Sequence, residues 1–79
     1  MRETQPPIAN DEEYRGYQLG RDKLTRVLEE RETRLIAAHA SGADRDRLEA
    51  LRFDLLQVLR DRQGIIDAIH TYERQRQSA

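Results

Sequence analysis

Two histidines, two serines and a few runs of carboxylates are the residues of this chain whose types belong to catalytic or metal chemistry. A helical metal site brings ligands together at i and i+4, and neither His39 nor His70 has a His or Glu at that spacing. His39 falls near a turn and His70 near the far end of a helix, so one hairpin cannot bring both to the same ion. Ser41 and Ser78 fall in a turn and a polar tail, with no nucleophile elbow or phosphate-cradling glycine loop around them. Asp11-Glu12-Glu13 and Glu29-Glu30 read as cap chemistry and a solvated face. The sequence therefore predicts no catalytic residues, no metal site and no cofactor, and a chain that is not an enzyme.

What remains is a matter of surfaces. Seventy-nine residues allow one small domain, and a chain of this size buries only roughly 60% of the surface its unfolded form exposes. There is no Cys to supply a disulfide or thiolate site, so self-association is the expected source of extra stability. Fourteen Lys plus Arg nearly cancel 15 Asp plus Glu, which leaves no basic footprint for nucleic acid over the chain as a whole. Every basic residue except Lys23 is Arg, a bias that suits bidentate ion pairs but that is better attributed to a GC-rich genome, which gives it for no structural reason. No apolar run approaches the roughly 20 residues that span a bilayer, and no signal-peptide core follows Met1. A soluble, cytoplasmic protein without membrane contact is expected.

The elements follow from periodicity. Residues 1–8, through Pro6-Pro7, read as a flexible arm, because proline cannot enter a helix interior. Asn10 reads as an N-cap, with Glu13 placed to complete a capping box, and Ala9 and Tyr14 stand at the positions of a hydrophobic staple. Tyr14, Tyr17, Leu24, Val27, Leu28, Leu35 and Ala38 share one side of a helix that should run over about 10–40. Ser41 to Asp44 forms a turn, with Gly42 suited to the left-handed conformation and Asp44 or Ser41 to capping the next helix. A second helix over about 45–75 completes a hairpin spanning 9–76, and 77–79 are expected to be disordered. So short a turn dictates antiparallel helices, and centring it between Gly42 and Ala43 pairs residues whose numbers sum to about 85. Leu35 then faces Leu48 and Leu51, and Gly16 and Gly20 face Ile65 and Ile69. The fold class is all-α: an antiparallel two-helix coiled coil.

The second helix is apolar over too wide an arc. Leu48, Leu51, Leu55, Leu56, Val58, Leu59, Ile65, Ile66, Ile69 and Tyr72 cover roughly 200°, more than one partner helix covers. These ten are the predicted interface residues, shared between the first helix and a second copy in a dimeric four-helix bundle. Phe53, Leu19 and Ile36 lie off both stripes and are candidate contacts for a further protein partner. Arg31 and Arg62 fall inside the stripes. Each either fixes register through a buried partner or lays its stem over apolar surface and sends the guanidinium to water or a carboxylate, with Asp54 in reach of Arg31.

Two resemblances bear on function. Leu48-Glu49-Ala50-Leu51-Arg52, with Leu55-Leu56, Val58-Leu59 and Arg62, resembles the first helix of small all-helical chorismate mutases over about 15 residues. That family needs two more helices after it, and here it comes last. Ile8-Ala9-Asn10-Asp11-Glu12-Glu13-Tyr14, together with Leu48, Leu51, Leu55, Ile66, Ile69 and Tyr72-Glu73, resembles a helical-hairpin module that precedes the helix-turn-helix domain of bacterial and phage antitoxin-like regulators. The match spans residues 8 to 74 and implies a dimerising, partner-binding hairpin in a regulatory or toxin–antitoxin setting. The 79 residues hold nothing that resembles that family's DNA-reading domain, so DNA binding is not among the expectations that carry over. The principal expectation is a homodimeric module that binds a protein partner. The alternatives are a nucleic-acid-linked regulator using Arg15, Arg26 and Arg34 on phosphates and a small mutase-like enzyme.

Overall fold

The computed structural model describes residues 7–78 and contains two helices, α1 (Asp11–Ala40) and α2 (Arg45–Ser78). Of the arm expected over 1–8, residues 1–6 lie outside the described residues, as does Ala79 at the other end. α1 starts where the chain offers a cap: the Asn10 side chain accepts from the Glu13 amide at 2.9 Å, and Asp11, Glu12 and Glu13 place negative charge on the exposed N–H groups of the first turn. The Glu13 carboxylate accepts from the Asn10 side-chain amide at 3.4 Å, in place of the backbone N–H that a capping box would use.

The turn is a Schellman motif. The Ala43 amide donates to the Ala38 carbonyl at 3.0 Å and the Gly42 amide to the His39 carbonyl at 3.2 Å, with Gly42 at φ +78°. Asp44 caps α2, accepting from the Arg47 amide at 2.9 Å, while Ser41 closes α1 by donating to the Ala38 carbonyl. The backbone direction is thus reversed while the Ala37, Ala38 and His39 carbonyls and the Arg47 amide find local partners.

Four cross-helix contacts report the register: Tyr14 to Glu73, Asp11 to Tyr72, Thr25 to Arg62, and Gly20 under Ile65. In each pair the residue numbers sum to within two of 85, as the turn geometry requires. The seam follows a heptad rhythm. Half-buried or buried positions recur at alternating steps of three and four, from Tyr14 through Tyr17, Arg21, Leu24, Leu28, Arg31 and Leu35 to Ala38, and from Leu48 to Tyr72 on α2. A methyl added at Gly16 would meet nothing within 4 Å and one at Gly20 only the Ile65 Cδ1 at 3.6 Å, so closer helix approach does not depend on glycine at either position.

The best-buried cluster sits at the open end of the hairpin, away from the turn. Ile8 is 1% exposed and packs with Ala68 and Ile69, and Tyr14, Tyr17, Ile65 and Tyr72 close around them. This corrects two expectations. Ile8 is part of the core and not of a flexible arm, and the apolar contact ahead of the cap comes from Ile8, whereas Ala9 is exposed. Pro7 fixes the backbone just before Ile8 and the Asn10 cap fixes it just after, so the side chain is aimed at α2 with little conformational freedom to lose. α2 also runs three residues past the expected end at about 75, with Arg76 over the Tyr72 ring at 5.8 Å and 3.4 Å from the Asp11 carboxylate.

Replacing Ile8 with Ala should cost about 2–5 kcal/mol, as for other fully buried aliphatic side chains. The urea midpoint of the helical signal reads this directly, and an unchanged midpoint would place Ile8 outside the folded unit.

Candidate interaction surface

α2 leaves part of its wide apolar arc exposed because its seam with α1 takes only one stripe. Leu48, Leu51, Leu55, Val58, Ile65, Ile66 and Tyr72 are half-buried and Ile69 is buried, so eight of the ten predicted interface residues are at least partly covered within one chain. The other two are left out: Leu56 is 60% and Leu59 41% exposed. They line a shallow hollow with Arg60, Gln63, Gly64 and Asp67. Ile36, 68% exposed, borders a second hollow with Leu35, His39, Ala40 and Arg52. Leu19 and Phe53 are exposed as their off-stripe positions require, and by helical rotation each lies on the back of its helix, turned away from the seam.

The open end carries a polar cluster that joins the two helices reciprocally. The Tyr14 hydroxyl on α1 donates to Glu73 Oε2 on α2 at 2.6 Å, and the Tyr72 hydroxyl on α2 donates to Asp11 Oδ1 on α1 at 2.6 Å. Their rings meet at a centroid separation of 5.0 Å and a tilt of 34°. The hydrogen bond to Glu73 holds the Tyr14 pKa above its ordinary 10.0, with partial desolvation adding to it, and the bond to Asp11 does the same for Tyr72. Asp11 is held below its ordinary 3.8, first by the Tyr72 hydroxyl and then by the Arg76 charge. The sequence placed both tyrosines on the stripes but did not pair them. The register near 85 was the signal available, since it sets Tyr14 against 71–73 and Tyr72 against the first turn of α1.

The two arginines inside the stripes take different roles. Arg62 Nε donates to Thr25 Oγ1 at 2.7 Å, and that hydroxyl donates in turn to the Arg21 carbonyl at 2.9 Å, so its partner is a hydroxyl across the seam and not a carboxylate. Arg31 is half-buried with its Nε out of reach of water and without a hydrogen-bond partner, and no ion pair joins it to Asp54 among the described residues. A polar atom buried without a partner costs on the order of 1–3 kcal/mol.

Ser41 and the two histidines singled out in the sequence are not brought to one place in the hairpin. Ser41 donates to a helix-end carbonyl, His39 and His70 lie at opposite ends of the hairpin, and no group of three or more His, Asp or Glu among the described residues is placed to hold a metal ion. Among the described residues no helix is long and apolar enough to cross a membrane. No family model matches the chain, and neither does any curated protein or solved structure.

The tyrosine cluster makes stability depend on pH at both extremes. Tyrosine pKa values raised by folding give stability that is complete below pH 10 and lost as pH rises through the folded values. A lowered Asp11 gives stability present above its ordinary value and lost as pH falls through the folded one. Tyr72→Phe should shrink the loss at both ends, because it removes the donor to Asp11 together with one titrating phenol. Urea midpoints across pH would show an unchanged profile if the bond did not form in solution. In the seam, Arg31→Leu should raise the unfolding free energy by about 1 kcal/mol, read as a higher urea midpoint, through removal of the unpartnered Nε. If it instead changed the chain's mass in solution, Arg31 would be setting register.

Proposed function

We propose that this hairpin is a non-catalytic protein–protein interaction module that homodimerises through the exposed side of α2 and presents further apolar residues to a protein partner. The observation that carries the reading is the exposure of Leu56 and Leu59 on a helix whose seam is already occupied. Burying a leucine stabilises by roughly 1.5–3 kcal/mol relative to leaving it in water, so a chain with so small a core gains disproportionately from covering these two.

The area supports the same reading. The chain exposes 6544 Å², against about 5,000 Å² for a compact globular chain of 9.3 kDa. Part of that excess is the elongated shape, 54 × 28 × 16 Å, and a standard interface removes about 800 Å² from each partner. Two hairpins side by side form a four-helix bundle, the arrangement in which antiparallel helix pairs of this length cover a common core. Leu19, Ile36 and Phe53 remain for a partner of a different kind, and the resemblance to antitoxin-like regulator hairpins suggests bacterial or phage regulation as the setting.

Sedimentation at micromolar concentration should give a dimer of about 19 kDa, twice the chain mass. Leu56→Glu combined with Leu59→Glu should give a monomer that keeps its helical signal, since neither side chain is part of the seam. A folded wild-type monomer at that concentration would overturn the reading.

A further inference from the structure

A dimer through α2 can be parallel or antiparallel, and the charges flanking the exposed leucines distinguish the two. Arg52, Leu56, Leu59, Gln63 and Asp67 succeed one another at steps of three or four, so they form one line along the helix, and all five are exposed. The line is basic at one end, apolar in the middle and acidic at the other. The Gln63 amide donates to Asp67 Oδ1 at 2.9 Å and holds the carboxylate on that line. Arg52 borders the hollow that also exposes Ile36. Within the chain neither charge is neutralised: among the described residues no ion pair involves Arg52 or Asp67.

Parallel association would set Arg52 on Arg52 and Asp67 on Asp67, with like charges facing at both ends of the apolar centre. Antiparallel association sets Arg52 of each copy against Asp67 of the other, twice over, and leaves Leu56 and Leu59 of both copies between the two pairs. We infer that a second copy of the chain docks on this line with α2 antiparallel to α2, facing positions summing to about 119 and the two-fold axis beside Leu59 and Arg60. The overlap from Arg52 to Asp67 is 16 residues, and its 15 steps make about 23 Å of helix at 1.5 Å per step. The inference rests on the self-association proposed above and adds the orientation and register, which the pair Arg52–Asp67 specifies by charge.

A charge swap in the full-length chain tests it by sedimentation equilibrium at low ionic strength, where surface charges are least screened. Arg52→Asp and Asp67→Arg each create two like-charge contacts and should weaken the dimer about tenfold, a change of about 1.4 kcal/mol. The double variant restores opposite charges across the interface and should return to within about twofold of wild type, with circular dichroism unchanged in all four proteins. A dimer weakened by the single changes and not rescued by the double, or insensitive to all of them, overturns the antiparallel register while self-association stands. A wild-type chain that stays monomeric up to submillimolar concentration overturns both.

Discussion

Two helices in contact share a single line, and each can hide only the stripe that faces the other. The arrangement of this chain follows from that limit. A Schellman turn with Gly42 at φ +78° sends α2 back along α1 in one register, and the four cross-helix contacts keep to it from the open end to the middle of the hairpin. Because the seam admits one stripe, a helix with apolar residues over a wide arc must leave some of them outside. On α2 those are Leu56 and Leu59, and they stay outside however well the hairpin itself folds.

The same limit explains where the chain is held together. Ile8, Ala68 and Ile69 are the buried residues, and they lie at the open end, where the segment before α1 adds a third piece of chain to the two helices. A third element is what turns half-burial into burial. The reciprocal tyrosine–carboxylate bonds stand beside this cluster and restrain the ends that would otherwise fray, so the turn and the open end clamp the hairpin from both sides. Between the clamps the seam is mixed. Arg62 has found Thr25, but Arg31 Nε has found no hydrogen-bond partner, so this middle stretch carries a buried polar atom that the hairpin alone does not satisfy.

Much of this was legible in the sequence, and for identifiable reasons. Helix limits were readable because Asn10, Gly42 and Asp44 are residues whose side chains or conformational freedom do a specific local job. The register was readable because a four-residue turn leaves the pairing no slack. Ile8 was not, since a single aliphatic residue after two prolines has no periodicity to reveal which surface it meets. The end of α2 was missed for a related reason: Arg76 and Asp11 lie 65 positions apart, and their proximity is a property of the completed hairpin. Arg62 was placed correctly on its stripe, but a search for carboxylates overlooked the threonine hydroxyl across the seam.

Placing the exposed leucines beside the middle of the seam links assembly to folding. Leu56 and Leu59 lie level with residues 26–29 of α1, flanked along the chain by the Arg31 and Arg62 layers. A partner covering that region would remove water from the outer side of the stretch that holds the unpartnered Arg31 Nε. The free energy of docking would then add to the stability of the hairpin by mass action, as for any ligand that binds the folded state alone. In the proposed dimer, ends held by the turn and the tyrosine cluster would let one chain keep its shape while part of its apolar burial came from association. The cost is the exposure of hydrophobic side chains in the free state, and the charges at Arg52, Arg60 and Asp67 around the leucines limit how many wrong surfaces can cover them.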